Sequence, residues 1–172
     1  MKSLKLIGLV VLAVFSVASA EGQNHPDQTR RFQGAWFSIR YPTSFHAVPS
    51  QRSRTRTNGY DSAFFTSSDS HVQFYVFSPQ WNGDAQDYQR DAQREVLVDD
   101  RTEEKPQKLG YSKAHWVTVR ASDKSYERSW VDVATPENTR LIFGIRYRNS
   151  ADLRAYRPQY LAFKKSLVQF SD

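Results

Sequence analysis

Three consecutive stretches decide the fold: SKAHWVTVRA (residues 112–121), YERSWVDVA (126–134) and RLIFGIRYR (140–148). Each is typical of a β-strand, although apolar residues run together at 141–143. Short connectors separate them, around Asp123 and around Pro136, and both contain residues typical of turns. The three stretches are therefore predicted to form successive antiparallel strands.

Matching the apolar positions of these strands predicts two unlike faces, because cross-strand partners share a face. The predicted core face carries Val117, Val119, Val131, Val133, Leu141, Phe143, Ile145 and Tyr147. The opposite face, here called the Trp/Arg face, carries Trp116, Thr118, Arg120, Arg128, Trp130, Ile142, Arg146 and Arg148.

Tryptophan and arginine are enriched at binding hot spots, since they combine a large desolvated area with directed polar contacts. The candidate binding residues on the Trp/Arg face are Trp116, Arg128, Trp130, Arg146 and Arg148. The alternative is that another segment covers this face. Its tryptophans would then be core residues, with arginine stems packed beneath them.

Working outward, the upstream sequence predicts further strands. FSIRY (37–41) alternates like a half-buried strand, and YDSAFFT (60–66) with HVQFYVF (71–77) reads as an antiparallel hairpin. Between them, PSQRSRTRTNG (49–59) has no apolar residue and is predicted to be an exposed loop.

Two helices are predicted as well. Ala85, Tyr88, Ala92 and Val96 recur at helical spacing after Asp84, a suitable N-cap residue. A polar connector, DDRTEEKPQK (99–108), follows them. Near the end, an apolar stripe runs through Leu153, Tyr156, Tyr160, Phe163, Leu167 and Phe170, with a turn expected before Pro158.

The order of strands, helix, strands and helix indicates an α+β domain with an antiparallel sheet.

The first twenty residues, MKSLKLIGLVVLAVFSVASA, have the charged, apolar, A-x-A order of a secretory signal peptide. We predict cleavage before Glu21, a flexible leader over 21–34 and a single domain over 35–172. Two lysines leave with the signal, so the formal net charge falls from +6 to +4. The chain has no cysteine, which excludes a lipoprotein anchor. No second apolar run follows the first, so no transmembrane segment is predicted. A periplasmic or secreted location is expected.

Arg52, Arg54 and Arg56 alternate in the predicted loop. In an extended segment they would project to one side roughly 6.6–7 Å apart, a spacing that suits phosphates or an anionic lipid surface. The plain alternative is a solvated loop. Nucleic acid is a poor partner for an exported chain with this modest positive charge.

Signatures of catalysis are missing from the sequence. It contains no phosphate-binding glycine loop and no G-x-S-x-G elbow, and without cysteine it offers no thiolate. The four histidines, at positions 25, 46, 71 and 115, never have metal-ligand spacing, so neither a metal nor a cofactor is predicted. A fold-assembled serine hydrolase site stays open as an alternative.

Four stretches follow one another in a familiar order of elements: WFSIRYPTSF (36–45), YERSWVDV (126–133), RLIFGIRYR (140–148) and KKSLVQF (164–170). This order resembles the PsbP-like superfamily, which includes the photosystem extrinsic protein PsbP, a Ran-binding nuclear import factor and DcrB-like bacterial periplasmic proteins. The resemblance implies a twisted antiparallel sheet flanked by helices in an α/β/α arrangement. It also implies a role in binding proteins without catalysis.

The sequence therefore predicts an exported, non-catalytic protein-binding or assembly module of the bacterial periplasm. Its partner would be an envelope or secreted protein. The alternatives are a small exported hydrolase, or a binder of anions or lipid surfaces that uses the loop from Arg52 to Arg56.

Overall fold

The computed structural model describes residues 28–80, 83–108, 110–135 and 139–170. They form ten strands and one helix: β1 Thr29–Gln33, β2 Phe37–Pro42, β3 Phe45–Pro49, β4 Ser62–Ser67, β5 Val72–Phe77, β6 Glu95–Gln107, β7 Gly110–Ala121, β8 Glu127–Ala134, β9 Arg140–Tyr147, α1 Ser150–Lys165 and β10 Val168–Gln169. None of the helices in these residues is long and apolar enough to cross a membrane.

The strands make two antiparallel sheets, so the α+β class is as predicted. A large sheet has the order β3-β4-β5-β9-β8-β7-β6, and a small one has the order β1-β2-β10. The predicted hairpin is β4 with β5, and the three stretches that open the sequence analysis are β7, β8 and β9. All three lie inside the large sheet, with β7 next to the edge strand β6.

Helix α1 and the small sheet cover one face of the large sheet. Phe163, 2% exposed, contacts the rings of Phe65, Phe74 and Phe143 at centroid distances of 5.0, 5.3 and 6.0 Å. The apolar stripe of the C-terminal segment therefore packs on the sheet as predicted.

Pro158 lies inside α1, so the predicted turn before it is wrong. The helix starts at the N-cap Asn149, whose side chain accepts hydrogen bonds from Ala151 and Asp152 N–H. Tyr156 and Tyr160, on either side of the proline, both pack on the same core. This packing stabilises one continuous helix, although proline removes a backbone donor.

The helix predicted from Ala85 to Val96 is absent. Residues 83–94 instead run as turns and irregular chain over the second face of the large sheet, and β6 begins at Glu95. Tyr88 stacks on Tyr75 with a centroid distance of 4.1 Å, and Asp87 accepts from the hydroxyls of Tyr75 and Ser62, both at 2.6 Å. Contacts with the sheet have overridden helical periodicity here.

Because α1 is the single helix among the described residues, the α/β/α arrangement is not confirmed. Two boundaries also differ from prediction. The polar connector at 99–108 falls largely within β6, since an edge strand exposed on both faces shows no apolar alternation. Thr29–Gln33 of the predicted leader pair with β2, so the ordered domain begins before residue 35. The predicted signal peptide lies outside the described residues.

Candidate binding groove

Among the described residues, helix α1 contacts chiefly β2, β5 and β9, so it covers less of the same face of β6, β7 and β8. A groove of about 250 Å³ runs where the helix meets this open half of the sheet. The side chains that matter for its chemistry are Asp99, Arg101, Trp116, Thr118, Ser129, Val131, Tyr160 and Lys164. We call it the helix–sheet groove.

The floor of the helix–sheet groove is aromatic and aliphatic. Trp116 is the cross-strand partner of Val131, which is in turn the partner of Phe143 in the main core. Beside them, the hydroxyls of Thr118 and Ser129 lie 2.9 Å apart and hydrogen-bond each other. Trp116 and Val131 are half-buried, so an apolar surface continuous with the core reaches solvent here.

Lys164 lies on the helix side of the groove. Its Nζ is 4.9 Å from the centroid of the Tyr160 ring, a cation–π distance. Burial lowers the pKa of Lys164, and the nearby charge of Arg157 lowers it further. Within the residues that the structure describes, no carboxylate forms an ion pair with this ammonium group. A partly desolvated cation therefore borders an apolar floor.

Arg101 supplies a second cation on the opposite side. Its guanidinium lies 5.1 Å from the Trp116 ring centroid. The Arg101 guanidinium makes long ion pairs with Asp99, at 3.6 Å, and with Glu103, at 3.8 Å. The Arg101 side chain is largely exposed. The groove can thus take an apolar or aromatic side chain on its floor and a carboxylate beside Lys164.

The structure divides the predicted Trp/Arg face. The β7–β8 register pairs Trp116 with Val131 and Val117 with Trp130, so β7 is turned over relative to the prediction. Trp116 therefore lies on the helix face, whereas Arg128, Trp130 and Arg146 lie on the other. The sequence could not decide this, since β7 carries apolar residues on both faces and a shift of one residue exchanges them.

Arg128 is buried in a polar network. Its Nε and Nη2 donate to the two carboxylate oxygens of Glu95 at 2.6 and 2.7 Å, and Nη2 also donates to the Gln89 carbonyl. Its guanidinium lies 4.8 Å from the Tyr88 ring and 4.9 Å from the Trp130 ring. These contacts attach residues 83–94 to the sheet, which is a structural role.

The same network controls the ionisation of Glu95. Burial alone would raise its pKa, but hydrogen bonds from Arg128, the Asp91 N–H and the Tyr126 hydroxyl outweigh burial and lower the pKa to about 2. Glu95 is therefore a permanent anion at neutral pH, paired with a permanent cation.

The remaining residues of the Trp/Arg face are separated. Trp130 is half-buried against Tyr88, at a centroid distance of 5.7 Å. Arg146 is exposed, with its guanidinium 4.2 Å from the Tyr126 ring. Arg148 follows β9, and its Nε lies 3.5 Å from Oδ2 of Asp152 in α1. They do not form one continuous surface with Trp116.

The arginines of the 49–59 loop are exposed, as predicted, but they are not an even array. Arg52 lies over Tyr60 and Arg56 over Trp36, both at 5.2 Å, and Arg56 also donates to the Ala35 carbonyl at 2.7 Å. Bends at 54 and 55 turn the chain, and Arg54 is exposed between the other two. A second open cavity, of about 530 Å³, borders Arg56.

Sequence reasoning missed most of the groove. Tyr160 belongs to the apolar stripe of the helix, which the sequence predicts to face the core, while Lys164 lies one turn further on the same helix. Thr118 belongs to the predicted Trp/Arg face without a role of its own, and no sequence pattern distinguishes Ser129. The spacing of Tyr160 and Lys164 at i, i+4 is the one signal that could have linked them.

Comparisons with known proteins give a likeness of fold. The structure is similar to the solution structure of cyanobacterial PsbP (CyanoP) from Synechocystis sp. PCC 6803, with a TM-score of 0.47 and 8% identity over 94% of this chain and 99% of that one. It is also similar to a crystal structure from Bacteroides thetaiotaomicron VPI-5482, with a TM-score of 0.37 and 14% identity. That match covers 84% of this chain and 48% of the other, about half its length.

No family model and no curated protein matches the sequence. The first of the two structures is a PsbP protein, the kind of protein that the sequence resembles. At this level of identity the likeness concerns the fold alone and assigns no residue, partner or activity to this chain.

Proposed function

We propose that this chain is an exported, non-catalytic protein-binding module of the bacterial periplasm, and that the helix–sheet groove binds its partner. The segment that fits the groove has an acidic side chain next to an aromatic or aliphatic one. The observation that carries the proposal is the half-buried Lys164 ammonium beside an open apolar floor.

The electrostatics of Lys164 support an acidic partner. The cation–π contact with Tyr160 compensates only part of the hydration that Lys164 loses on burial, so a carboxylate brought by a partner would recover more of that free energy. Arg101 on the opposite side adds a second attractive charge, although Asp99 offsets part of it.

The floor of the groove supports an apolar anchor. Trp116 and Val131 are half-buried, and an inserted side chain would complete their burial. Anchors of this kind, surrounded by charged rims, give most of the binding free energy in small interfaces.

A peptide selection tests the proposal. A random peptide library displayed on phage is selected on the folded protein, and the affinities of enriched peptides are measured by fluorescence polarisation. We expect peptides that pair Asp or Glu with Trp, Phe or Leu. Trp116→Ala should weaken them by about tenfold or more, because it removes the anchor pocket.

Tyr111→Ala is the matched control. Tyr111 is an exposed aromatic residue, 66% accessible, at the far end of the same strand and outside the groove. Its removal should leave the affinity unchanged. Selected peptides that bind Trp116→Ala as well as the unaltered protein, or a selection without enrichment, would contradict the proposal.

A second candidate function is the binding of an anionic surface through the arginine loop. The open cavity beside Arg56 favours it, since an anion there would meet a guanidinium already oriented by Trp36 and Ala35. Flotation with phosphatidylglycerol vesicles tests it. Binding should fall with added salt and be lost in the triple variant Arg52→Ala, Arg54→Ala, Arg56→Ala.

A further inference from the structure

Strand β6 is the end strand of the large sheet. It is thirteen residues long, and in the described part of the chain only β7 pairs with it. A long free edge offers unpaired backbone N–H and C=O groups to another strand. The outward backbone groups of β6 and the order of its charges determine which partner strand fits this edge.

Pro106 identifies the backbone groups that face outward. Proline has no N–H to donate, so Pro106 occupies a non-hydrogen-bonded position opposite Tyr111 in the β6–β7 ladder. Because such positions alternate in antiparallel pairs, Glu104, Thr102 and Asp100 also direct their backbone N–H and C=O groups to the free edge.

The regular part of the edge is symmetric about Thr102. A register irregularity between Leu97 and Asp99 limits it on one side, and Pro106 limits it on the other. Residues 99–105 lie between these limits. On the face shared with Trp116 and Thr118, their charges alternate through Asp99, Arg101, Glu103 and Lys105.

This alternation is complementary to itself. In an antiparallel pair of two β6 strands centred on Thr102, Asp99 lies opposite Lys105 of the other copy, and Arg101 lies opposite Glu103. Shifting the register by one step of the ladder in either direction sets Arg101 opposite Lys105 or opposite Arg101. Charge therefore selects the same register that the backbone limits select.

The opposite face of the pair carries acids, and β7 compensates for them. Asp100 would lie opposite Glu104 of the second copy. His115 of β7 hydrogen-bonds Asp100 at 2.7 Å, and Lys113 is the cross-strand partner of Glu104. Each carboxylate thus already has a basic neighbour in its own chain.

We propose that β6 pairs with β6 of a second copy of this chain, about a two-fold axis at Thr102, so that the two large sheets become one continuous sheet. The contact is isologous and closes, as expected for a homodimer. It uses the edge of the sheet and shares Asp99 and Arg101 with the helix–sheet groove, but it does not involve Trp116 or Lys164.

Sedimentation equilibrium over micromolar to submillimolar concentrations of the full chain tests the proposal. We expect a monomer–dimer equilibrium. The double variant Glu103→Lys, Lys105→Glu keeps the net charge but makes all four pairs on that face repulsive, and should raise the dimer dissociation constant by about tenfold or more. Thr102→Pro should have a similar effect, because it removes an outward N–H at the centre.

Full reversal is the matched control. Asp99→Lys, Arg101→Glu, Glu103→Lys and Lys105→Glu together restore every complementary pair and should restore the dimer. Circular dichroism verifies that each variant is folded. A chain that stays monomeric throughout the range, or a dimer that the double variant leaves intact, would overturn the proposal.

Discussion

At the scale of single residues, Glu95 and Arg128 form the electrostatic centre of the face that residues 83–94 cover. Both side chains are buried, with Glu95 only 3% exposed, and two hydrogen bonds join them. A buried ion pair of this kind adds little net stability, yet removal of one partner leaves the other charged and desolvated.

Glu95→Gln should therefore lower the free energy of unfolding by about 3–5 kcal/mol at neutral pH. Urea denaturation followed by circular dichroism measures this. Glu127→Gln is the control, since its ion pair with Arg120 is 3.3 Å long and partly exposed to solvent, and it should cost less than about 1 kcal/mol. Equal effects of the two substitutions would contradict the structural role of the buried pair.

The lowered pKa of Glu95 also makes the stability of the fold depend on pH. The pKa of Glu95 is about 2 in the folded protein against an ordinary value of 4.5, so the unfolded chain takes up the proton first as the pH falls. Its contribution, of about 3 kcal/mol, is complete above pH 4.5 and is lost between 4.5 and 2. As the pH is lowered through this range, the free energy of unfolding should decrease less for Glu95→Gln than for the unaltered protein. Equal decreases for the two proteins would contradict the lowered pKa of Glu95.

Gly144 is a second residue whose identity is fixed by packing. A Cβ atom there would lie 2.4 Å from the Tyr88 hydroxyl oxygen and 2.5 Å from its ring carbons. Gly144→Ala should therefore destabilise the fold by about 1–3 kcal/mol through overpacking. In a Tyr88→Ala background the same change should cost almost nothing. Additive effects in thermal unfolding would show that the two residues are not in contact.

At the scale of elements, helix α1 is stabilised mainly by Phe163 and its aromatic neighbours. Phe163→Ala should lower the free energy of unfolding by about 3–5 kcal/mol, because it opens a cavity between α1 and the sheet. Leu161→Ala is the control on the same helix, since Leu161 is 50% exposed, and it should change stability by less than about 0.5 kcal/mol. An unchanged denaturation midpoint for Phe163→Ala would mean that the helix is not docked as described.

Elements with one buried face were predictable from the sequence, and the others were not. β4, β5, β8 and β9 have strong alternation or continuous apolar runs, and α1 has an unbroken apolar stripe. β6 lacks an apolar face because solvent reaches both of its sides. The 83–94 segment has helical spacing, but its conformation is decided by Tyr88 and Asp87 contacts with distant strands.

At the scale of the whole molecule, unequal coverage of the large sheet creates the helix–sheet groove. One helix and a small sheet cover half of one face, and the other half ends at the edge strand β6. Sequence reasoning found Trp116 as a candidate but assigned it to the wrong face. It could not find Lys164 or Ser129, because their meeting depends on where α1 crosses the sheet.

The central claim is that the helix–sheet groove binds an acidic partner segment beside Lys164. The most direct measurement compares the affinity of a selected acidic peptide for Lys164→Glu and for Lys165→Glu, two identical charge reversals at adjacent positions. Lys165 is exposed and lies outside the groove. Lys164→Glu should weaken binding by about tenfold or more, and Lys165→Glu by at most the small effect of a screened surface charge. Equal losses, or no loss in either variant, would contradict the claim.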